Sequence, residues 1–211
     1  MTTWENAKTA FEKQLKLNLR QLGNRPPSWN YFLNCLEEMK HKINRVVDVG
    51  CGVGIYYKLC KDYFPDLKYL GIDYSPYAIT LAITKWDHFG FFNLDYAELK
   101  PKHFTQRDLL VANAFCDVRE DGDKCFEYLL KLKVPYLLFQ RVKLTTEPSF
   151  FRKYRAYQEI DTVEFHHNQK QMFKTIIKHD YMSIWDLEDK KNNDYNIFLM
   201  KNPFTENRSN E

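Results

Sequence analysis

The sequence predicts a three-layer α/β fold: a mostly parallel sheet with helices on both faces. Three observations carry this. Val46-Val47-Asp48-Val49 is an apolar strand that runs directly into Gly50-Cys51-Gly52-Val53-Gly54. A strand, a glycine-rich turn and then a helix is how an α/β sheet opens a nucleotide pocket. Strand-like and helix-like patterns alternate from residue 46 to residue 142, the order expected of parallel strands joined by crossover helices. Residues 109–115, Leu-Leu-Val-Ala-Asn-Ala-Phe, are almost continuously apolar, as a strand buried on both faces must be.

Residues 1–43 are expected to form an N-terminal helical extension or lid. Phe11, Leu15, Leu19 and Leu22 recur at helical spacing within residues 3–22. Gly23-Asn24-Arg25-Pro26-Pro27 breaks that pattern, and Ser28 reads as the N-cap of a second helix with Trp29, Phe32, Leu33 and Leu36 on its apolar face. The main domain is expected over residues 44–202. After Gly54, Tyr56, Leu59, Cys60 and Tyr63 share one helix face, and Pro65 ends it. Residues 68–73 read as a second strand ending in Asp73. Ser75-Pro76 is a cap followed by proline at the first helical position, with Ile79, Ala82, Ile83 and Trp86 facing inward. A third strand is expected at 90–95.

Beyond the strand at 109–115, a helix over about 122–132 turns Cys125, Tyr128, Leu129 and Leu132 inward. Residues 134–142 form the fifth strand. Residues 143–168 read as irregular and rich in Arg, Tyr, Phe and His, with a short strand at 162–165. Asn168 caps a last helix, and strands at 182–187 and 195–200 close the domain around a polar turn at 188–194. Residues 203–211 are expected to be a flexible tail.

The bulk properties remove several functional classes. Thirty-one Lys and Arg against 28 Asp and Glu leave no electrostatic footprint of a dedicated nucleic-acid binder. The five cysteines, Cys35, Cys51, Cys60, Cys116 and Cys125, contain no Cys-x-x-Cys pair and are odd in number. That argues against a disulfide framework or zinc cluster and for a reducing, cytoplasmic compartment. The N-terminus lacks the basic and apolar regions of a signal peptide, and no apolar run approaches the ~18–20 residues of a membrane span.

The chemistry concentrates at strand ends. A dinucleotide fingerprint, Gly-x-Gly-x-x-Gly, would place its third glycine where Ile55 stands. Asp48, just before the turn, would repel a pyrophosphate but can accept a hydrogen bond from an ammonium group. The expected ligand is therefore a nucleoside with a cationic or zwitterionic tail. Asp73 ends the next strand, 23 residues after Gly50, where an acid can accept from both ribose hydroxyls. Asp95 ends the third strand in the corresponding place.

In these residues the sequence resembles the class I S-adenosylmethionine-dependent methyltransferases, whose Rossmann-like fold has seven strands with the last antiparallel. The resemblance lies in Val47–Gly54, in Leu70-Gly71-Ile72-Asp73-Tyr74-Ser75, in Asn93–Leu99 and in the strand containing Val111-Ala112-Asn113-Ala114-Phe115. It covers roughly residues 44–142. It implies that Asp48 and the backbone of Gly50, Cys51, Gly52 and Gly54 face the methionine part, that Asp73 holds the ribose and that Tyr74 lies against the adenine. By the same resemblance Asp95 meets the adenine amino group with Tyr96 beside it, and Asn113 and Phe115 border the methyl group.

The acceptor side is less legible, because the sulfonium already activates the methyl. Arg25 and Trp29 are candidates to fold over the site. His166 and His167 are candidate general bases. Arg141, Tyr154 and Tyr157 are candidates for binding an anionic or sugar-like acceptor. The fourth strand reads Ala-Asn-Ala-Phe rather than the Asn/Asp-Pro-Pro-Tyr of nucleobase amino-methylation, and no constellation of acids for a divalent metal follows it. The expected activity is methyl transfer to oxygen or nitrogen of a small-molecule or sugar-like acceptor. The alternative is a cofactor-binding scaffold subunit, non-catalytic or partner-dependent, on the same fold. Oligomeric state is not legible.

Overall fold

A computed structural model describes residues 4–189 and 195–204. The chain forms two compact units, one comprising Met1–Glu98 with Tyr154–Thr162, the other Leu99–Lys153 with Val163–Glu211.

The first unit contains α1 (Lys8–Gln21), α2 (Pro27–Met39), β1 (Arg45–Val49), α3 (Ile55–Tyr63), β2 (Lys68–Asp73), α4 (Pro76–Trp86) and β3 (Phe91–Asn93). β1, β2 and β3 pair in parallel, with Asp48 opposite Gly71, Val49 opposite Ile72 and Asp73 opposite Asn93. This register brings the carboxyl ends of the three strands into line. Val46, Val47 and Val49 are buried beside Asp48, so the strand is hydrophobic on both faces as a covered parallel strand requires. Ser75 caps α4 as its sequence predicts, accepting from the Ala78 N–H, with Pro76 at the first helical position. The start of α2 differs from expectation. Pro26 stands at the cap and Pro27 opens the helix, because proline's fixed φ suits the first turn; Ser28 lies inside it and is buried.

The N-terminal helix is anchored by a distant segment. Ala7, Ala10 and Phe11 pack with Val53, Ala78, Ala156 and Ile160. The Trp4 indole N–H donates to Thr162 Oγ1 at 3.1 Å, and Lys13 pairs with Glu159. The Ser75 hydroxyl donates to the Glu5 carbonyl at 3.2 Å. Tyr157 and Gln158, both at positive φ, form the tight turn that presents these residues, the backbone geometry of a primed hairpin turn; Trp4 meets the Tyr157 ring edge-on at 6.1 Å.

The second unit contains β4 (Asp108–Asn113), α5 (Gly122–Lys131), β5 (Tyr136–Thr145), α6 (Gln169–Lys178), β8 (Met182–Asp189) and β9 (Tyr195–Lys201). It also holds the base of a hairpin formed by β6 (Phe150–Ala156) and β7 (Ile160–Asn168). β4 and β5 are parallel, β9 is antiparallel to β5, and β8 is antiparallel to β9. The end of β5 pairs in parallel with the end of β7, Lys143 opposite His166. Asn168 caps α6 through the Gln171 N–H.

The α/β class, the mostly parallel strands and the antiparallel closing strand are as predicted. Residues 143–168 are largely strand: β5 continues to Thr145, the short strand expected at 162–165 is the centre of the longer β7, and β6 pairs with it in a hairpin that was not expected. Phe-Phe-Arg-Lys-Tyr-Arg has no apolar alternation because five consecutive β6 positions are exposed. β7 does alternate, and His167 occupies one of its inward positions. The expected turn at 188–194 falls largely on residues 190–194, outside the described residues, as do residues 205–211 of the tail.

Candidate cofactor site

Gly50, Gly52 and Gly54 all have positive φ, at 74°, 52° and 74°. A side chain at Gly54 would be strained in that conformation and would also meet the Phe91 ring at 2.5 Å, so this turn admits only glycine there. Trp86 supports the same turn by donating its indole N–H to the Val53 carbonyl at 2.7 Å. The turn's own N–H groups point inward. Gly50 and Cys51 both donate to the Ile72 carbonyl, Gly54 donates to the Cys51 carbonyl, and Gly52 donates to Asp73 Oδ2 at 2.9 Å. Four donors that a phosphate-binding loop would present to an anion are thus already engaged.

Two buried acids flank the turn. Asp48 is 3% exposed and accepts from the Tyr69 hydroxyl at 2.5 Å. Burial lifts its carboxyl from 3.8 to about 7, against the Tyr69 hydrogen bond and with Asp73 adding to the rise. Asp73 holds both ends of its neighbourhood: Oδ2 accepts from Gly52 and Oδ1 from the Ser75 N–H at 2.9 Å. Burial raises its carboxyl too, and the Ser75 and Gly52 N–H groups oppose the rise. Burial likewise pushes the Cys51 thiol well up, with Asp73 and Asp48 contributing, so Cys51 serves as a small neutral residue in a tight turn. Burial penalises the charged form of both acids, so a cation placed beside them is what would favour their ionisation.

Tyr74 follows Asp73 and is half-buried. Asp95 uses Oδ1 to accept from the Ala97 N–H at 2.8 Å, capping the short helical turn that begins at Tyr96. Trp29 is buried in α2. Arg25 bonds to the Tyr63 hydroxyl and stacks over its ring at 5.0 Å. Tyr63 ends α3, and Gly54 caps its start; a nine-residue helix is roughly 13 Å long, which sets Arg25 at the far end of α3 from the glycine turn. Tyr154 is exposed on β6, and Tyr157 packs on Trp4.

Gln14, on α1, was not legible in the sequence. Its Oε1 is buried with no hydrogen-bond partner and lies 2.9 Å from where a Gly52 Cβ would stand. Tyr69 was also missed, since an aromatic residue within a strand reads as core.

The second unit has its own concentration of unusual features. Asn113 ends β4 with Oδ1 buried and unpartnered, and Ala114 follows at φ 50°. The Ala114 N–H donates to the carbonyl of Gln140, which is fully buried. Next to Gln140, Arg141 sits at φ 61° where β5 shifts register against β9, and its guanidinium lies over Tyr195 at 5.1 Å. Phe115, half-buried, has Arg119 over its ring at 6.0 Å.

His167 is fully buried, with Nδ1 2.7 Å from Asp123 Oδ1 and Nε2 3.7 Å from Asp117 Oδ1. That Nε2 has no hydrogen-bond partner. Burial lifts the Asp117 carboxyl to about 6, against His167, the Lys143 N–H and Arg141. Half-burial pulls Asp123 upward too, but hydrogen bonds from His167 and Ser149 hold it below the ordinary value. His166 is stacked on Phe150 at 4.6 Å and bonded to Glu164 at 2.9 Å. The two acids around His167 were missed because each reads as an ordinary helix-start residue.

Residues 47–133 match the family described as a methyltransferase domain. That segment, from the glycine turn to the end of α5, is similar to a methyltransferase domain. A malonyl-(acyl-carrier protein) O-methyltransferase of Acetivibrio thermocellus is 34% identical over 90 residues, 40% of this chain and 30% of that one. The chain thus spans about a third of the length of that relative. Solved structures extend the likeness of the methyltransferase fold. A methyltransferase from Clostridium acetobutylicum superimposes with a TM-score of 0.64 at 11% identity, covering 90% of this chain and 98% of that one. The magnesium protoporphyrin IX methyltransferase of Synechocystis, solved with bound S-adenosylmethionine, gives 0.57 at 17% identity over 90% and 83% of the two chains. Among the described residues, no helix is long and apolar enough to cross a membrane.

Proposed function

We propose that this chain transfers the methyl group of S-adenosylmethionine to an oxygen or nitrogen of a small-molecule or sugar-like acceptor. The observation that carries the reading is the polarity of the glycine turn. Its N–H groups at Gly50, Cys51, Gly52 and Gly54 are satisfied internally, and a buried Asp48 stands behind it. Such a turn fits an ammonium-bearing nucleoside and disfavours the pyrophosphate of a dinucleotide. The five cysteines are free and buried, in keeping with a cytoplasmic setting.

When bound, S-adenosylmethionine supplies a methyl already activated for in-line displacement. The protein's work is to bind, to orient, to exclude water and to take a proton. Asp48 and the Gly50–Gly54 backbone hold the methionine end. Asp73 accepts from the ribose hydroxyls through its remaining lone pairs, Tyr74 lies on the adenine, and Asp95 with Tyr96 binds its amino group. Asn113 uses its unpartnered Oδ1 toward the ligand. Oxygen and nitrogen acceptors stay equal, because the A. thermocellus relative matches over only 90 residues and the family match ends at residue 133, before the β6–β7 hairpin. Arg141, Phe115, Tyr154, Tyr157 and His166 are assigned to the acceptor side.

Calorimetric titration tests the donor. S-adenosylhomocysteine should bind in the micromolar range, about −8 kcal/mol, and NAD should not; binding of NAD alone would overturn the assignment. On the acceptor side, His167 takes the departing proton together with Asp117. His167→Ala should slow methyl transfer by ~10²–10⁴, the usual range for losing a general base, with S-adenosylhomocysteine affinity unchanged. Full activity in that variant would remove His167 from the mechanism.

A further inference from the structure

We propose that Gln14 is a cofactor-recognition residue, its side-chain carbonyl on α1 accepting a hydrogen bond from the ammonium group at the amino-acid end of S-adenosylmethionine. The inference rests on the cofactor reading above and extends it to a helix outside the matched segment 47–133.

Three observations carry it. Gln14 Oε1 is buried without a partner, and an unsatisfied buried acceptor costs ~1–3 kcal/mol, so this oxygen is positioned for a donor. Four N–H groups of the neighbouring turn, those of Gly50, Cys51, Gly52 and Gly54, are turned to other acceptors, namely Ile72, Cys51 and Asp73. The helix that carries Gln14 is also held in place rather than laid loosely over the turn. Phe11 is buried against Val53 and Ile160, Lys13 pairs with Glu159, and Trp4 bonds to Thr162. Gln14 therefore faces Gly52 on a fixed support, one residue after an anchoring ion pair.

An ammonium is the donor that fits. Asp48 and Asp73 make this neighbourhood negative, and a neutral amide carbonyl adds an acceptor without a third carboxylate to desolvate. Glycine at residue 52 keeps the position open, since a Cβ there would stand 2.9 Å from Gln14 Oε1.

The test compares two ligands by calorimetry on the full chain. S-adenosylhomocysteine carries the amino-acid end, and 5′-methylthioadenosine has the same nucleoside without it. Gln14→Leu should weaken S-adenosylhomocysteine at least tenfold and leave 5′-methylthioadenosine within twofold of wild type. Gln14→Glu, which keeps the acceptor oxygen, should retain most of the affinity. Equal affinity of wild type and Gln14→Leu for S-adenosylhomocysteine would overturn the proposal. So would a parallel loss of both ligands, which would mean that Gln14 only supports the helix. If the wild type binds neither ligand, the cofactor reading itself fails and the proposal with it.

Discussion

Asp73→Ala is expected to weaken S-adenosylhomocysteine binding at least ~100-fold, read by calorimetry. Hydrogen bonds to a charged group are worth ~1.5–3 kcal/mol each, and two ribose hydroxyls converging on one carboxylate reach ~2.7 kcal/mol, a factor of about 100, even if each is at the low end. The fold should also register the change. The carboxylate ties the Gly52 N–H to the Ser75 N–H, joining the glycine turn to the start of α4. Removing it relieves the cost of a buried charge, so the net loss of stability is smaller, about 1–2 kcal/mol or ~3–6 °C for a chain of this size. A variant that lost stability but kept full affinity would make Asp73 a scaffold residue and return the ribose to another partner.

Asp48→Asn is expected to stabilise the cofactor-free protein at pH 8 and to leave it unchanged at pH 4. Burial raises the Asp48 carboxyl from 3.8 to about 7 in the folded chain. The folded state therefore binds this proton more tightly than the unfolded state does. Stability contributed by the protonated acid is present below pH ~4, falls as the pH rises toward 7, and is gone above it. A rise of about three units sets a ceiling near ~4 kcal/mol on the effect. Urea midpoints measured from pH 4 to pH 8 should slope downward more steeply in wild type than in the variant. Binding should show the opposite sign. An ammonium beside Asp48 restores its charge, so wild type near pH 7 should release about half a proton on taking up S-adenosylhomocysteine. Calorimetry in buffers of different ionisation enthalpy should detect that proton in wild type and none in Asp48→Asn. Identical proton release in the two would disconnect Asp48 from the cofactor.

The parts of the molecule legible in the sequence are those where one residue type answers a local constraint. Three alternating glycines, an acid before them and an acid at the next strand end mark the proposed donor site, because backbone conformation and charge are properties of short segments. Ser75-Pro76 and Asn168 announce their helices for the same reason. The β6–β7 hairpin was not legible because its exposed strand, Phe150–Ala156, buries too little to leave an apolar rhythm. Gln14 was not legible because its role depends on Gly52, 38 residues away, and no spacing rule links a helix position to a turn in another element. His167 stood out as a histidine, but its setting between Asp117 and Asp123 follows from tertiary packing alone. Arg25 shows the same. Its sequence position before the second helix makes it a candidate for the site, and its bond to Tyr63 follows from tertiary packing alone.

The anchoring of α1 has a consequence for how the chain acquires its function during synthesis. The strands and turn of the proposed donor site lie within residues 45–93 and can pair as soon as they emerge. Trp4 must wait for Thr162, and Lys13 for Glu159, partners 158 and 146 residues downstream. Contacts of such separation form late, because loop closure must precede them. A nascent chain stalled before residue 154 would therefore hold the glycine turn with its helical cover only partly anchored. Full competence for the cofactor would arrive when the hairpin tip closes on the N-terminus, which makes this docking a late checkpoint in folding rather than an accessory contact.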